Sequence, residues 1–167
     1  MANYYLIGMP GSGKSKIGKL VANALNLEFF DSDKLVEKRA GKTIAELFFE
    51  DGEDLFRQIE SEIIAGLYLR ENFVASLGGG AVLSKKNWEW IRRSGKTIWL
   101  DASVETLLER LRRKNHRPLF PAENQFEYLQ TTLELREPLY RLADFRFITT
   151  NHQSPKNLAE KITEKIQ

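Results

Sequence analysis

Cysteine is absent from this chain of 167 residues, which excludes disulfides, zinc–thiolate centres and cysteine nucleophiles. Histidine is scarce: His116 and His152 are the two present, and alone they cannot make a metal site. No Pro/Gly/Ser-rich linker, internal repeat or low-complexity tract divides the chain. No apolar run approaches the roughly 18 residues of a membrane span, and no signal-peptide pattern precedes the first strand-like segment. The expectation is a soluble, cytoplasmic protein without a membrane partner. Neither sign of charge dominates: 25 basic against 23 acidic residues leave a formal net charge of +2, too little for a global attraction to nucleic acid. What is there suits one domain, expected to be a monomer, since 42% hydrophobic and 11% aromatic content can fill a substantial core.

Against this plain background one segment stands out. The apolar run Tyr4 to Ile7 feeds into Gly8-Met9-Pro10-Gly11-Ser12-Gly13-Lys14-Ser15, the phosphate-cradling pattern of P-loop proteins. Glycines at 8, 11 and 13 allow backbone angles that let successive N–H groups converge on phosphate, and a helix starting at about Gly13 adds its dipole. Lys14 would reach the β- and γ-phosphates, and the Ser15 hydroxyl would take one place on Mg²⁺. A chance glycine-rich turn would not need an apolar strand before it and the amphipathic series Ile17, Leu20, Val21, Ala24, Leu25 after it.

The rest of the chain alternates strand and helix. Strands are predicted at 4–7, 28–30, 73–77, 97–100 and 146–149, short apolar runs suited to a buried parallel sheet. Thr43 with Glu46 makes a capping box, Ser84 can cap the helix of Trp88 and Ile91, and Ser154 before Pro155 is a cap with proline at the first helical position. Right-handed crossovers then give an α/β three-layer sandwich. Pro138 falls in a predicted helix that should kink or start near it. Between Arg113 and Asn124 the periodicity fails at Pro118 and Pro121, which predicts a mobile lid loop over 113–124.

In an open parallel sheet the ligand crevice lies at the carboxyl ends of the strands. Three loops converge there: the phosphate loop, Asp31-Ser32-Asp33, and Gly78-Gly79-Gly80. Two carboxylates two residues apart can face one side, Asp31 toward Mg²⁺ and its waters, Asp33 toward a hydroxyl that attacks the γ-phosphate. Taken alone, that pair would read as a turn and helix cap. Three consecutive glycines suit a close approach of backbone to ligand better than a mere turn.

At these residues the chain resembles the shikimate kinases, in GMPGSGKS (8–15), DSD (31–33), FRQIE (56–60), LGGGAV (77–82), RPLF (117–120) and REPLY (136–140). The resemblance implies ATP-dependent phosphorylation of the 3-hydroxyl of shikimate on a nucleoside-monophosphate-kinase type of fold, with five parallel strands in the order 2-3-1-4-5. It implies shikimate binding by Asp33, Arg57, Gly79 and Arg136, with Gly80 nearby and Glu60 behind Arg57. An acceptor region at about 34–70 would carry apolar walls from Ile44, Phe48 and Phe56, with Pro118 and Leu119 added by the lid. For ATP it implies Gly11, Ser12, Gly13, Lys14, Ser15 and Lys16 around the phosphates, Arg117 closing from the lid, Arg110 with Pro155 sandwiching the adenine, and Gln153 beside it. The catalytic set would be Lys14, Asp33 and Arg117, with Ser15 and Asp31 on the metal. Lys16 stands where many relatives carry threonine, and the lid reads RPLF where RPLL is commoner.

Other readings are open at this point. Another small-molecule kinase of the same fold, such as a gluconate or nucleotide kinase, would share the phosphate loop, and a regulatory module that had lost catalysis would share the fold. The basic string Arg110, Arg112, Arg113, Lys114, Arg117 invites nucleic acid, but it lacks interleaved aromatics and reads better as a solvated face.

Overall fold

The computed structural model describes residues 2–113 and 123–167. Five strands form one parallel sheet, β1 (Asn3–Ile7), β2 (Glu28–Asp31), β3 (Phe73–Ser76), β4 (Lys96–Asp101) and β5 (Phe145–Ile148), in the order β2-β3-β1-β4-β5. Each predicted strand is present within a residue or so of its expected ends, and the expected sheet order is the observed one. The helices are α1 (Lys14–Leu25), α2 (Ser32–Ala40), α3 (Ile44–Tyr68), α4 (Lys85–Ser94), α5 (Val104–Arg113), α6 (Gln125–Tyr140) and α7 (Pro155–Ile166).

Alternation along the strands divides the core into two layers. Tyr5, Ile7, Phe73, Ala75 and Trp99 face one side, where Ile64 and Leu67 of α3, Ile91 of α4, Leu107 of α5 and Leu129 of α6 cover them. Leu6, Val74, Ile98 and Leu100 face the other, against Ile17 and Val21 of α1 and Leu158 and Ile162 of α7. A third, smaller cluster of Val36, Leu47 and Phe56 joins α2 to α3 away from the sheet.

The three caps form as expected. Thr43 and Glu46 make both bonds of the capping box, Ser84 accepts from the Asn87 N–H, and Ser154 accepts from the Asn157 N–H. Two helices carry a residue able to break them. Helix α6 does not start at Pro138 but runs through it and ends two residues later, where loss of one hydrogen bond in the last turn is tolerated better than in mid-helix. The break that does occur is in α3, at Gly52, whose φ of 84° and ψ of 169° interrupt the helical path. Helix α5 continues to Arg113, and Asn124 caps α6. The rest of the expected lid, with Arg117, Pro118, Leu119 and Pro121, lies outside the described residues.

Candidate active site

The carboxyl ends of β1, β2 and β3 open into one cleft of about 1000 Å³. Its floor is the loop between β1 and α1. Gly8, Gly11 and Gly13 have φ of 143°, 87° and 95°, the left-handed region that side chains resist, so the loop curls over the first turn of α1. Lys14 is only 8% exposed, and its Nζ donates to the carbonyl oxygens of Gly8 and Met9, each at 2.9 Å. The ammonium is thus held inside the loop, aligned with a helix N-terminus that favours anions. Ser12 is buried, whereas Ser15 and Lys16 are exposed at the start of α1.

Asp31 serves two purposes. One carboxylate oxygen caps α2, accepting from the N–H of Asp33 at 3.1 Å and of Lys34 at 3.4 Å; the other accepts from the Ser15 hydroxyl at 2.6 Å. The helix-cap reading and the metal reading are therefore compatible. A hydroxyl and one carboxylate are oxygen donors suited to a hard divalent cation that keeps most of its sites for water and phosphate. No cluster of three or more His, Cys, Asp or Glu occurs among the described residues, so a cation here would depend on the phosphates it accompanies.

On the other side of the cleft stand Asp33 from α2, Arg57 from α3 and Arg136 from α6. Gly78-Gly79-Gly80, after β3, passes between them in very close contact. A Cβ on Gly78 would sit 2.9 Å from an Asp33 carboxylate oxygen, one on Gly79 2.9 Å from an Arg136 guanidinium nitrogen, and one on Gly80 2.5 Å from Arg57. Close packing against these side chains, not a left-handed backbone, favours glycine at the three positions. Glu60, 1% exposed, accepts from Arg57 at 2.7 Å through one oxygen, and its other oxygen has no partner among the described residues. Burial raises the Glu60 pKa above the ordinary carboxylate value, with Arg57 pulling it down, Asp33 pushing it up and Arg136 lowering it again. Arg57 also donates to the exposed Glu53 at 3.4 Å, and the Arg57 and Arg136 guanidinium groups both line the cleft, where their planar donor forks suit a carboxylate.

Ile44, Phe48 and Phe56 line the cleft as expected, and Phe48 and Phe56 also pack on each other with ring centroids 4.8 Å apart. Tyr128 and Thr132 line it too. Sequence reasoning missed these two, although with Arg136 they recur every fourth residue and so share one face of α6.

Arg110, Gln153 and Pro155 are outside the wall of this cleft. Arg110 bonds to the carbonyl oxygens of Gly11 and Ser12 at 3.3 and 3.2 Å, to Thr149 and Thr150 at 3.0 and 2.9 Å, and to Asn151 at 2.8 Å. It ties the phosphate loop to the segment after β5, which leads through the half-buried Gln153 to Pro155 at the start of α7. Arg113 pairs with Glu109, so two members of the basic string are occupied within the protein.

A five-stranded parallel sheet in this order, with a glycine-rich phosphate loop after its central strand and an acceptor cleft over its carboxyl edge, defines a P-loop kinase. The family profile of shikimate kinase matches residues 10–167. A shikimate kinase of Methylococcus capsulatus is 44% identical over 91% of this chain and 86% of its own length, and one of Microcystis aeruginosa is 40% identical over 97% and 85%. The structure of a shikimate kinase from Acinetobacter baumannii in complex with shikimate superposes with a TM-score of 0.93, at 36% identity over 99% of this chain and 93% of that one. The chain belongs to the shikimate kinase family.

Proposed function

We propose that the chain transfers the γ-phosphoryl group of ATP to the 3-hydroxyl of shikimate, giving ADP and shikimate 3-phosphate. The observation that carries this reading is the pair Arg57 and Arg136, brought together from α3 and α6 around the glycine turn, opposite a phosphate loop and beside Asp33. Shikimate is a small carboxylate with ring hydroxyls. Arg57 and Arg136 would clamp the carboxylate, Gly79 and Gly80 would approach it with their backbone, and Asp33 would accept a hydrogen bond from the reacting hydroxyl.

Phosphoryl transfer asks the protein mainly for alignment and charge neutralisation. The loop from Gly11 to Lys16 would hold the phosphates, and Lys14 would place its charge beside the transferring group. Arg117 would add a second charge from the lid. As the oxygen of shikimate bonds to phosphorus and the bond to the ADP oxygen breaks, the hydroxyl proton passes to Asp33 or leaves late while Asp33 only holds the hydroxyl in line. Ser15 and Asp31 would hold Mg²⁺, which supplies further neutralisation of phosphate charge when bound. Arg110, Pro155 and Gln153 would border the adenine. The acceptor region spans about 34–70 and the lid about 113–124 of one domain. The reading is of a cytoplasmic monomer that acts without nucleic acid or membrane; no helix among the described residues is long and apolar enough to cross a bilayer.

Release of ADP, measured by a coupled assay, tests this directly. ATP and Mg²⁺ with shikimate should give rapid turnover, and the same mixture with gluconate, or with no acceptor, should not. Equal turnover with gluconate would replace the reading by a sugar-acid kinase, and none with any acceptor would point to a module without catalysis.

A further inference from the structure

Tyr140 ends α6 and is 0% exposed. A phenol so placed must satisfy its hydroxyl, and it does so by donating to the carbonyl oxygen of Gly79 at 2.6 Å. Trp99 of β4 packs on the same ring, with centroids 6.0 Å apart. Burial pushes the phenol pKa up to about 12 against the pull of Arg136 and Arg57, so the group remains a donor through the physiological range.

The consequence lies on the far side of the peptide bond. A trans peptide is planar, with its C=O and N–H pointing in opposite directions. Anchoring the Gly79 carbonyl to Tyr140 therefore turns the Gly80 N–H away from the core, and no hydrogen bond among the described residues engages that N–H. The same peptide is wedged between the clamp residues, Arg136 beside Gly79 and Arg57 beside Gly80. Phenylalanine would fill the space equally well, so the hydroxyl is the informative atom.

We infer that Tyr140 is a positioning residue for the acceptor: its hydroxyl holds the Gly79–Gly80 peptide so that the Gly80 N–H joins Arg57 and Arg136 in reading the acceptor carboxylate. This rests on the shikimate kinase reading and adds a buried residue that does not touch the ligand. The Tyr140 hydroxyl thus sets the third donor and, through its interaction with the Arg136 side chain, steadies one guanidinium, while Glu60 sets the other.

Steady-state kinetics of Tyr140→Phe provide the test. The KM for shikimate should rise about five- to twentyfold, as expected for loss of one well-placed hydrogen bond, while the KM for ATP stays within about twofold. Ile91→Val, which trims the same core on α4, should lower the melting temperature without moving either KM. A shikimate KM for Tyr140→Phe within about twofold of the unmutated value, or an equal rise in both KM values, would overturn the inference. Should Tyr140→Phe not fold, hydrogen exchange of the unmutated chain decides: shikimate should slow exchange of the Gly80 amide, and unchanged exchange would overturn the inference. The unmutated protein in the same assay separates the two levels, because its failure to phosphorylate shikimate would retract the function, whereas normal turnover with an unaffected Tyr140→Phe would retract only the role of Tyr140.

Discussion

The two halves of the cleft hold charge by different means. On the nucleotide side the binding groups would be chiefly backbone N–H groups and Lys14, fixed by a loop that leaves the central strand β1 and enters α1 within seven residues. On the acceptor side they would be mainly side chains from α2, α3 and α6, with the Gly79–Gly80 backbone between them. Helices α2 and α3 meet in the small cluster of Val36, Leu47 and Phe56, and α3 also reaches the main core through Ile64 and Leu67. The first half is pre-organised by local chain geometry and anchored in the main core. The second depends on tertiary contacts, with a buried carboxylate, Glu60, holding one guanidinium in place. Phosphate, common to all kinases of this fold, is met by the invariant chemistry of the backbone. The acceptor, which differs between them, is met mainly by replaceable side chains carried on three separate helices.

If the halves are separable in this way, substitutions in one should leave ligand binding in the other intact. Lys14→Ala gives the largest expected effect: turnover should fall a thousandfold or more, about 4 kcal/mol of barrier, while calorimetry finds shikimate affinity unchanged. The variant should still fold, with a modest loss of stability, since Nζ also serves two loop carbonyls. Near-normal ADP release from it would remove the phosphate loop from the chemistry. Asp33→Asn comes next and tests the point where the halves meet. Its kcat should drop by at least about a hundredfold with ATP binding retained, and a drop under about tenfold would exclude a strong aligning or basic role.

Arg57→Ala or Arg136→Ala should sharpen the comparison most. Each should cost about 2 to 3 kcal/mol in shikimate binding, seen as a higher KM for shikimate at constant KM for ATP. A parallel rise in both constants would show that the halves are not independent.

The smallest effect is a pH dependence. Burial raises the Glu60 pKa, so folding favours its protonated form; the stability this gives is present at low pH and is lost as pH rises through the folded-state pKa. The clamp has the opposite requirement, because only the carboxylate pairs with Arg57. The KM for shikimate should therefore rise as pH falls through that raised pKa, and Glu60→Gln should abolish the dependence. A flat profile in the unmutated enzyme would remove Glu60 from the clamp.

The same contrast explains what could be read in the chain beforehand. The phosphate loop, the helix caps and the strands depend on neighbours within a few residues, so local pattern was sufficient for them. The clamp residues were named through family resemblance, since nothing in the spacing of Arg57 and Arg136, 79 positions apart, announces that they meet. Tyr128 and Thr132 were overlooked because a four-residue repeat of polar side chains is also what a solvated helix face looks like. The role of Tyr140 depends on α6 crossing the glycine turn, a contact between segments 61 residues apart. Pro138 left a kink and a helix start as alternatives, because the remaining length of α6 could not be judged from its composition.

The central claim is that the acceptor half reads a carboxylate. Its most direct test compares shikimate with its methyl ester as acceptors for the unmutated protein, at fixed ATP and Mg²⁺. Removing the negative charge should lower kcat/KM by roughly 30-fold or more, with the loss mainly in KM and the KM for ATP unmoved. Equal use of acid and ester would contradict the clamp of Arg57 and Arg136, and with it the division of the cleft into a half built on one local loop and a half assembled from separate helices around the glycine turn.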